Sequence, residues 1–197
     1  LPEEGGFLQL NAVQEPVEAS FQAEPGTGKP YVSYMEKYPN SMRLITLIHD
    51  KNVGEVKLVN GAKQIIYRVD DSDFEHMKQG LKQNARILFA AGASYLYLPT
   101  SNRTLIENEG QIDRVIDGLN NEASRYRYTS FHPQGTCRMG ADPKTSVVSP
   151  SGETHDIKNL YVSDASLLPT SIGYNPSETV YALSSLIADN IIKRHFS

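Results

Sequence analysis

The sequence predicts an α+β fold: a mostly antiparallel sheet with helices packed on one face, followed by a C-terminal strand-loop-helix segment. Three observations carry that expectation. Short β-forming runs separated by turn residues fill the first seventy positions, two amphipathic helical patterns follow between residues 72 and 119, and beyond residue 130 prolines and glycines punctuate the chain before a last helix.

The elements follow in order. Phe7 to Val13 and Arg43 to His49 are rich in β-formers, while Glu24 to Pro30 is turn chemistry. Val56 to Val59 and Gln64 to Val69 flank Asn60-Gly61, the dipeptide that suits a two-residue hairpin turn. At Ser72-Asp73-Phe74-Glu75 a serine can cap a helix while the glutamate three residues later reaches back. Phe74, Met77, Leu81, Ala85 and Leu88 then recur at steps of three and four, giving one buried stripe that stops at Gly92. Ser94 to Leu98 reads as a strand ended by Pro99, and Ile112, Val115, Ile116 and Leu119 mark a second amphipathic helix. Leu160 to Val162 forms a short apolar strand, and a final helix begins at about Pro176. A soft boundary near residue 133 separates 1–133 from 134–197.

With 197 residues, 39% hydrophobic and 21% charged, the chain has ordinary globular usage and enough length for a real core. Its net charge of -4 argues against nucleic acid as the main partner, because phosphate binding needs a clustered basic face. The one candidate patch, Arg125-Tyr126-Arg127-Tyr128, has the alternation of a half-exposed strand. The longest apolar run, near Ile87 to Ala91, falls far short of the ~20 residues of a membrane helix, so a soluble chain without a transmembrane segment is expected. A single cysteine, Cys137, makes no internal disulfide and is compatible with a reducing compartment such as the cytoplasm, without specifying one. Leu1-Pro2-Glu3-Glu4 has no initiating methionine and reads like the interior of a longer protein.

The chemistry concentrates in the last third, beginning with Phe131-His132-Pro133-Gln134-Gly135-Thr136-Cys137-Arg138-Met139-Gly140. Pro133 pushes His132 toward extended backbone and Gly135 lets the chain turn sharply, so the loop can present an imidazole in a fixed direction; a purely structural histidine is the alternative. A metal site of His132, Cys137 and His155 matches no familiar zinc spacing and lacks a fourth ligand. No helix N-terminus is expected behind Cys137 to activate its thiol. Gly26-Thr27-Gly28-Lys29-Pro30-Tyr31 fails as a phosphate loop because Tyr31 stands where the third glycine belongs. Farther on, Gly173-Tyr174-Asn175-Pro176-Ser177-Glu178 is helix-start grammar in which Asn175 caps and Pro176 opens the first turn. The same helix start gathers unpaired N–H groups that favour an anion or an electron-rich ring edge, so a cap and a ligand site both remain open.

His132 to Gly140, then Asn159 to Ser166, then Gly173 to Pro176 together resemble the C-terminal signature of the glucose-methanol-choline (GMC) oxidoreductases. Arg43 to Leu98 more loosely resembles the substrate domain of that family's long-chain alcohol and sterol oxidases. The resemblance implies that 1–133 belongs to a substrate-binding domain and that 134–197 completes a flavin-binding domain. It implies FAD-dependent oxidation of an alcohol CH–OH to a carbonyl, by an oxidase or a dehydrogenase, with a small-molecule alcohol as partner. The family's catalytic pair falls on His132, the general base, and Asn175, at a position that is histidine in some branches and asparagine in others. Its flavin contacts carry onto Asp164, Ala165, Asn175, Pro176 and Ser177. Family members bind the adenine half of FAD through an N-terminal glycine-rich βαβ unit, and no such fingerprint occurs in residues 1–197. The expectation is therefore a C-terminal part that needs an N-terminal FAD-binding portion and is inactive alone. A non-catalytic binding module that kept the scaffold is the alternative.

Overall fold

The computed structural model describes residues 6–11 and 28–196, and it divides into two compact units. The first is drawn from Phe7–Ile48 and Phe74–Arg127. In it β1 (Phe7–Asn11) pairs antiparallel with β2 (Leu44–Ile48), Phe7 facing Ile48 and Asn11 facing Leu44. Between them α1 (Lys29–Lys37) is a helix where the sequence predicts turns and strands. Pro30 is the misleading residue: it signals a turn, but it also fits the first turn of a helix, which here starts directly after Gly28 at φ 79. Ala12, Val13 and the Glu24 to Thr27 part of the predicted turn lie outside the described residues.

The long helix α2 (Asp71–Ala90) begins one residue before Ser72, so the predicted capping box does not form. Asp70 caps instead, its Oδ1 accepting from the Asp73 N–H and from the Ser72 hydroxyl, both at 2.9 Å. A carboxylate at the positive end of a helix is a stronger acceptor than a serine hydroxyl, and it takes the position. Glu75 pairs with Lys78 at 2.9 Å. At its other end Gly92, at φ 94, closes the helix with paired bonds from Gly92 N to Phe89 O and from Ala93 N to Leu88 O, and this turn consumes part of the strand predicted from Ser94.

The helix lies directly on β2. A Cβ at Gly80 would sit 2.2 Å from Thr46 Cγ2, and Asn84 Nδ2 donates to Thr46 Oγ1 at 2.9 Å. The core of this unit joins Ala85 of α2 to Leu98, Ile106, Ile112 and Ile116, contributed by β5 (Leu96–Tyr97), β6 (Leu105–Ile106), α3 (Ile112–Asp117) and the chain beside them. Across the helix pair, Lys82 reaches Asp117 at 2.7 Å and Arg86 reaches Asp113 at 2.9 Å.

The second unit contains His49–Asp73 and Tyr128–Ser197. Its hairpin, β3 (Glu55–Val59) with β4 (Ala62–Ile66), turns through Asn60 at φ 52 and Gly61 at φ 78, the left-handed pair that Asn-Gly predicts. All strand pairing among the described elements is antiparallel, as expected. It forms three separate two-stranded sheets rather than one.

From residue 137 to 168 the chain is irregular but densely bonded. The strand predicted at Leu160 to Val162 reduces to a single antiparallel bridge between Tyr161 and Glu153, made by Val162 N to Gly152 O at 3.0 Å and Thr154 N to Leu160 O at 2.8 Å. Val148 and Leu167 form a core with Ile187 of the terminal helix α4 (Ser177–His195). Gly152, at φ 84, is required there, since an added Cβ would lie 2.7 Å from Ile187 Cδ1.

Candidate active site

The His132 loop and the approach to α4 close around one cavity of about 340 Å³, a volume in the range of small-ligand sites. His132, Asp164, Ala165 and Pro176 all line it, although they come from three separate stretches of sequence. Each is placed by local grammar. His132 is half-buried and is followed by the Pro133 to Gly135 turn, with Gly135 at φ 83. Asp164 caps the short 3-10 turn Ala165–Leu167, its Oδ1 accepting from Ser166 N at 2.7 Å, so its carboxylate is fixed by the same bond that shapes the turn. Pro176 is buried and its carbonyl accepts the first helical bond of α4, from Val180 N at 2.8 Å.

Asn175 and Ser177 flank Pro176 in the chain, are exposed, and are not among the lining residues. The cap expected of Asn175 is not made: Pro176 occupies the cap position of α4 and no side chain bonds the helix start. Asn175 stands one position before that cap.

Phe131, Thr136 and Ser166 also line the cavity. None of the three carries a signal of its own in the sequence; only adjacency to His132 and Asp164 points to them. Two further residues brace the loop before Asn175. Gln134 Oε1 accepts from Ile172 N at 3.2 Å, and His49 packs so closely on Gly173 that an added Cβ would fall 3.0 Å from His49 Cβ. His155 is used structurally: its Nε2 lies 2.9 Å from Ser146 Oγ and 3.2 Å from Gly140 O. Among the described residues no helix is long and apolar enough to cross a membrane.

Comparison with known proteins decides the family, because residues 50–184 match the GMC oxidoreductases. The chain belongs to this family. A long-chain-alcohol oxidase of Arabidopsis thaliana is 34% identical over 170 residues, covering 81% of this chain and 22% of the relative. An oxygen-dependent choline dehydrogenase of Cronobacter sakazakii is 43% identical over 81 residues, 41% of this chain and 14% of the relative. The chain thus spans less than a quarter of the length of these curated GMC relatives. Among solved structures, a formate oxidase of Aspergillus oryzae, studied for the effect of a mutation on FAD modification, superposes with a TM-score of 0.54 at 23% identity, over 90% of this chain and 30% of that one. At that identity the likeness establishes the α+β fold alone.

Proposed function

We propose that this chain is the C-terminal part of an FAD-dependent oxidoreductase that converts an alcohol CH–OH to a carbonyl, with His132 as general base. In this reading residues 1–133 contribute to the substrate-binding domain and 134–197 complete the flavin-binding domain, the adenine half of FAD being held by an N-terminal portion of the same protein. The observation that carries the proposal is the cavity shared by His132, Asp164, Ala165 and Pro176. Four of the six residues picked out by the family motifs line one cavity although up to 44 positions separate them in the sequence.

These residues fit a flavin ring edge. The cavity is large enough for a ring, and its Pro176 side lies at the start of a 19-residue helix whose first N–H groups have no intrahelical acceptor. Asp164, Ala165 and Pro176 would hold the ring there, with Ser177 beside them at the start of α4 but outside the lining. When bound, FAD supplies the acceptor for the hydride that leaves the alcohol carbon.

The chain's own residues supply the rest. As the carbon gives up its hydride, the hydroxyl must lose a proton, and an imidazole nitrogen is a suitable general base to accept it. His132 takes that role. Asn175 does not titrate; its carboxamide hydrogen-bonds the substrate oxygen and orients the CH–OH group, a contribution of geometry rather than of proton transfer. The positive end of α4 lowers the energy of negative charge gained beside it. Phe131, 61% exposed beside the histidine, offers apolar surface to the substrate's carbon chain. The alcohol oxidase and choline dehydrogenase relatives support an alcohol as the substrate class.

The test is His132→Ala in the complete protein. Retained flavin absorbance with turnover reduced about 10² to 10⁴-fold is expected, the usual worth of a positioned base. Parental turnover in that variant removes His132 from the mechanism.

A further inference from the structure

We infer that Gln134 is a positioning residue for the proposed reaction, its side-chain carbonyl fixing the loop that leads to Asn175 against the loop that carries His132. This rests on the reading above. Ile172 N–H donates to Gln134 Oε1 at 3.2 Å across 38 residues of sequence. A backbone N–H can only donate, so the contact itself assigns the amide: the oxygen faces Ile172 and the NH₂ faces away.

The place of this bond in the two loops gives it its role. Farther along, the loops are zipped backbone to backbone, Met139 N to Leu167 O at 2.9 Å and Cys137 N to Ser166 O at 3.1 Å. Toward the cavity that zip stops. At Gly135 the loops only touch, a Cβ there meeting Leu168 O at 3.5 Å and Pro169 O at 3.7 Å, and Pro169 has no N–H to offer. The Gln134 side chain bridges the widening gap and supplies the next cross-link. From its two ends, His132 is two residues away in one direction and Asn175 three residues away in the other.

The neighbouring position is held from another side. Gly173, buried and at φ 71, packs against His49, where an added Cβ would fall 3.0 Å from His49 Cβ. Ile172 and Gly173 are thus fixed in succession, immediately before the stretch that carries Asn175 and the cavity-lining Pro176. Without the Gln134 acceptor, Ile172 N–H would be part-buried and unpaired, and the loop would move to satisfy it. A shift of about 1 Å in a positioning element costs on the order of 10²-fold in rate.

The experiment compares Gln134→Met and Gln134→Glu in the flavin-loaded, full-length protein. Methionine keeps the length of the side chain and removes the acceptor; glutamate keeps the acceptor. For Gln134→Met we expect kcat and kcat/KM to fall together by about tenfold to hundredfold, and Ile172 amide exchange to quicken by about tenfold. For Gln134→Glu we expect both to stay near the parent. Unchanged exchange at Ile172, unchanged kcat in the methionine variant, or failure of glutamate to rescue overturns the inference. His132→Ala belongs in the same series: parental turnover in it overturns the proposed base, while Ile172 exchange still decides whether Gln134 holds the loop.

Discussion

Asn175 stands one residue outside the helix whose cap its sequence position predicts, and that displacement separates two roles that would otherwise be confounded. Pro176 O starts the hydrogen-bond ladder and no side chain caps α4, so truncating Asn175 removes no helix-start bond. Asn175→Ala should therefore leave the thermal midpoint at the parental value while steady-state turnover of an alcohol falls by at least about tenfold, as expected when a substrate-orienting contact is lost. Melting curves and kinetics on the same preparation check this. A lowered midpoint with parental kinetics would return Asn175 to a purely structural part. His132 and Asp164 differ from it in that their geometry agrees with their local sequence: Pro133 and Gly135 shape one loop, and the Asp164 carboxylate shapes the other.

At the scale of elements, α4 is the piece that must stay in register for Pro176 to line the cavity, and it is tied down along its length. Ile187 fills the space left by Gly152, Ser184 Oγ donates to Ser163 O at 3.0 Å, and near the C-terminus Arg194 pairs with Glu153 while Tyr161 OH meets His195 Nε2 at 3.1 Å. Glu153 is the acid-sensitive member. The Asn159 N–H at 2.9 Å, and then the Arg194 guanidinium, hold its carboxyl below the ordinary glutamate value of 4.5, against the opposing effect of burial. A carboxylate depressed in the folded state adds stability that is complete above its unfolded value and disappears as pH falls through its folded one. The thermal midpoint of the parent should decline as pH drops below about 4.5, with part of that decline absent in Glu153→Gln, which starts lower at pH 7 and converges with the parent in acid. Parallel curves for the two proteins across that range would show that the pair does not anchor the helix. Local signals made α2, α4 and the Asn60-Gly61 hairpin legible, because helix periodicity and a left-handed turn act within a few residues. Long-range choices stayed hidden: nothing near Leu160 announces that Val162 bonds Gly152, and nothing near Pro30 decides between a turn and the first turn of α1.

For the whole molecule, the cavity lining was readable in outline because its residues fall in three motifs, while the bracing was not, since Gln134, although inside the first motif, and His49, outside all three, act on residues 38 and 124 positions away. The same division governs what the 197 residues can do by themselves. The cavity brings together His132, Asp164, Ala165 and the start of α4 at Pro176, but a dinucleotide needs its pyrophosphate held by a glycine-rich turn at a helix N-terminus, and the nearest approach, Gly26 to Tyr31, has two glycines of the three. Contacts to a ring edge alone leave most of FAD in water, and the translational and rotational freedom lost on binding is then not recovered. The chain purified at residues 1–197 should be colourless and inactive, and the same chain joined to an N-terminal portion with a glycine fingerprint should carry flavin absorbance and oxidise alcohols. A stoichiometric yellow spectrum from residues 1–197 alone would show that the C-terminal contacts hold the cofactor unaided, and would transfer to Asp164, Pro176 and the start of α4 a binding role here given to another part of the protein.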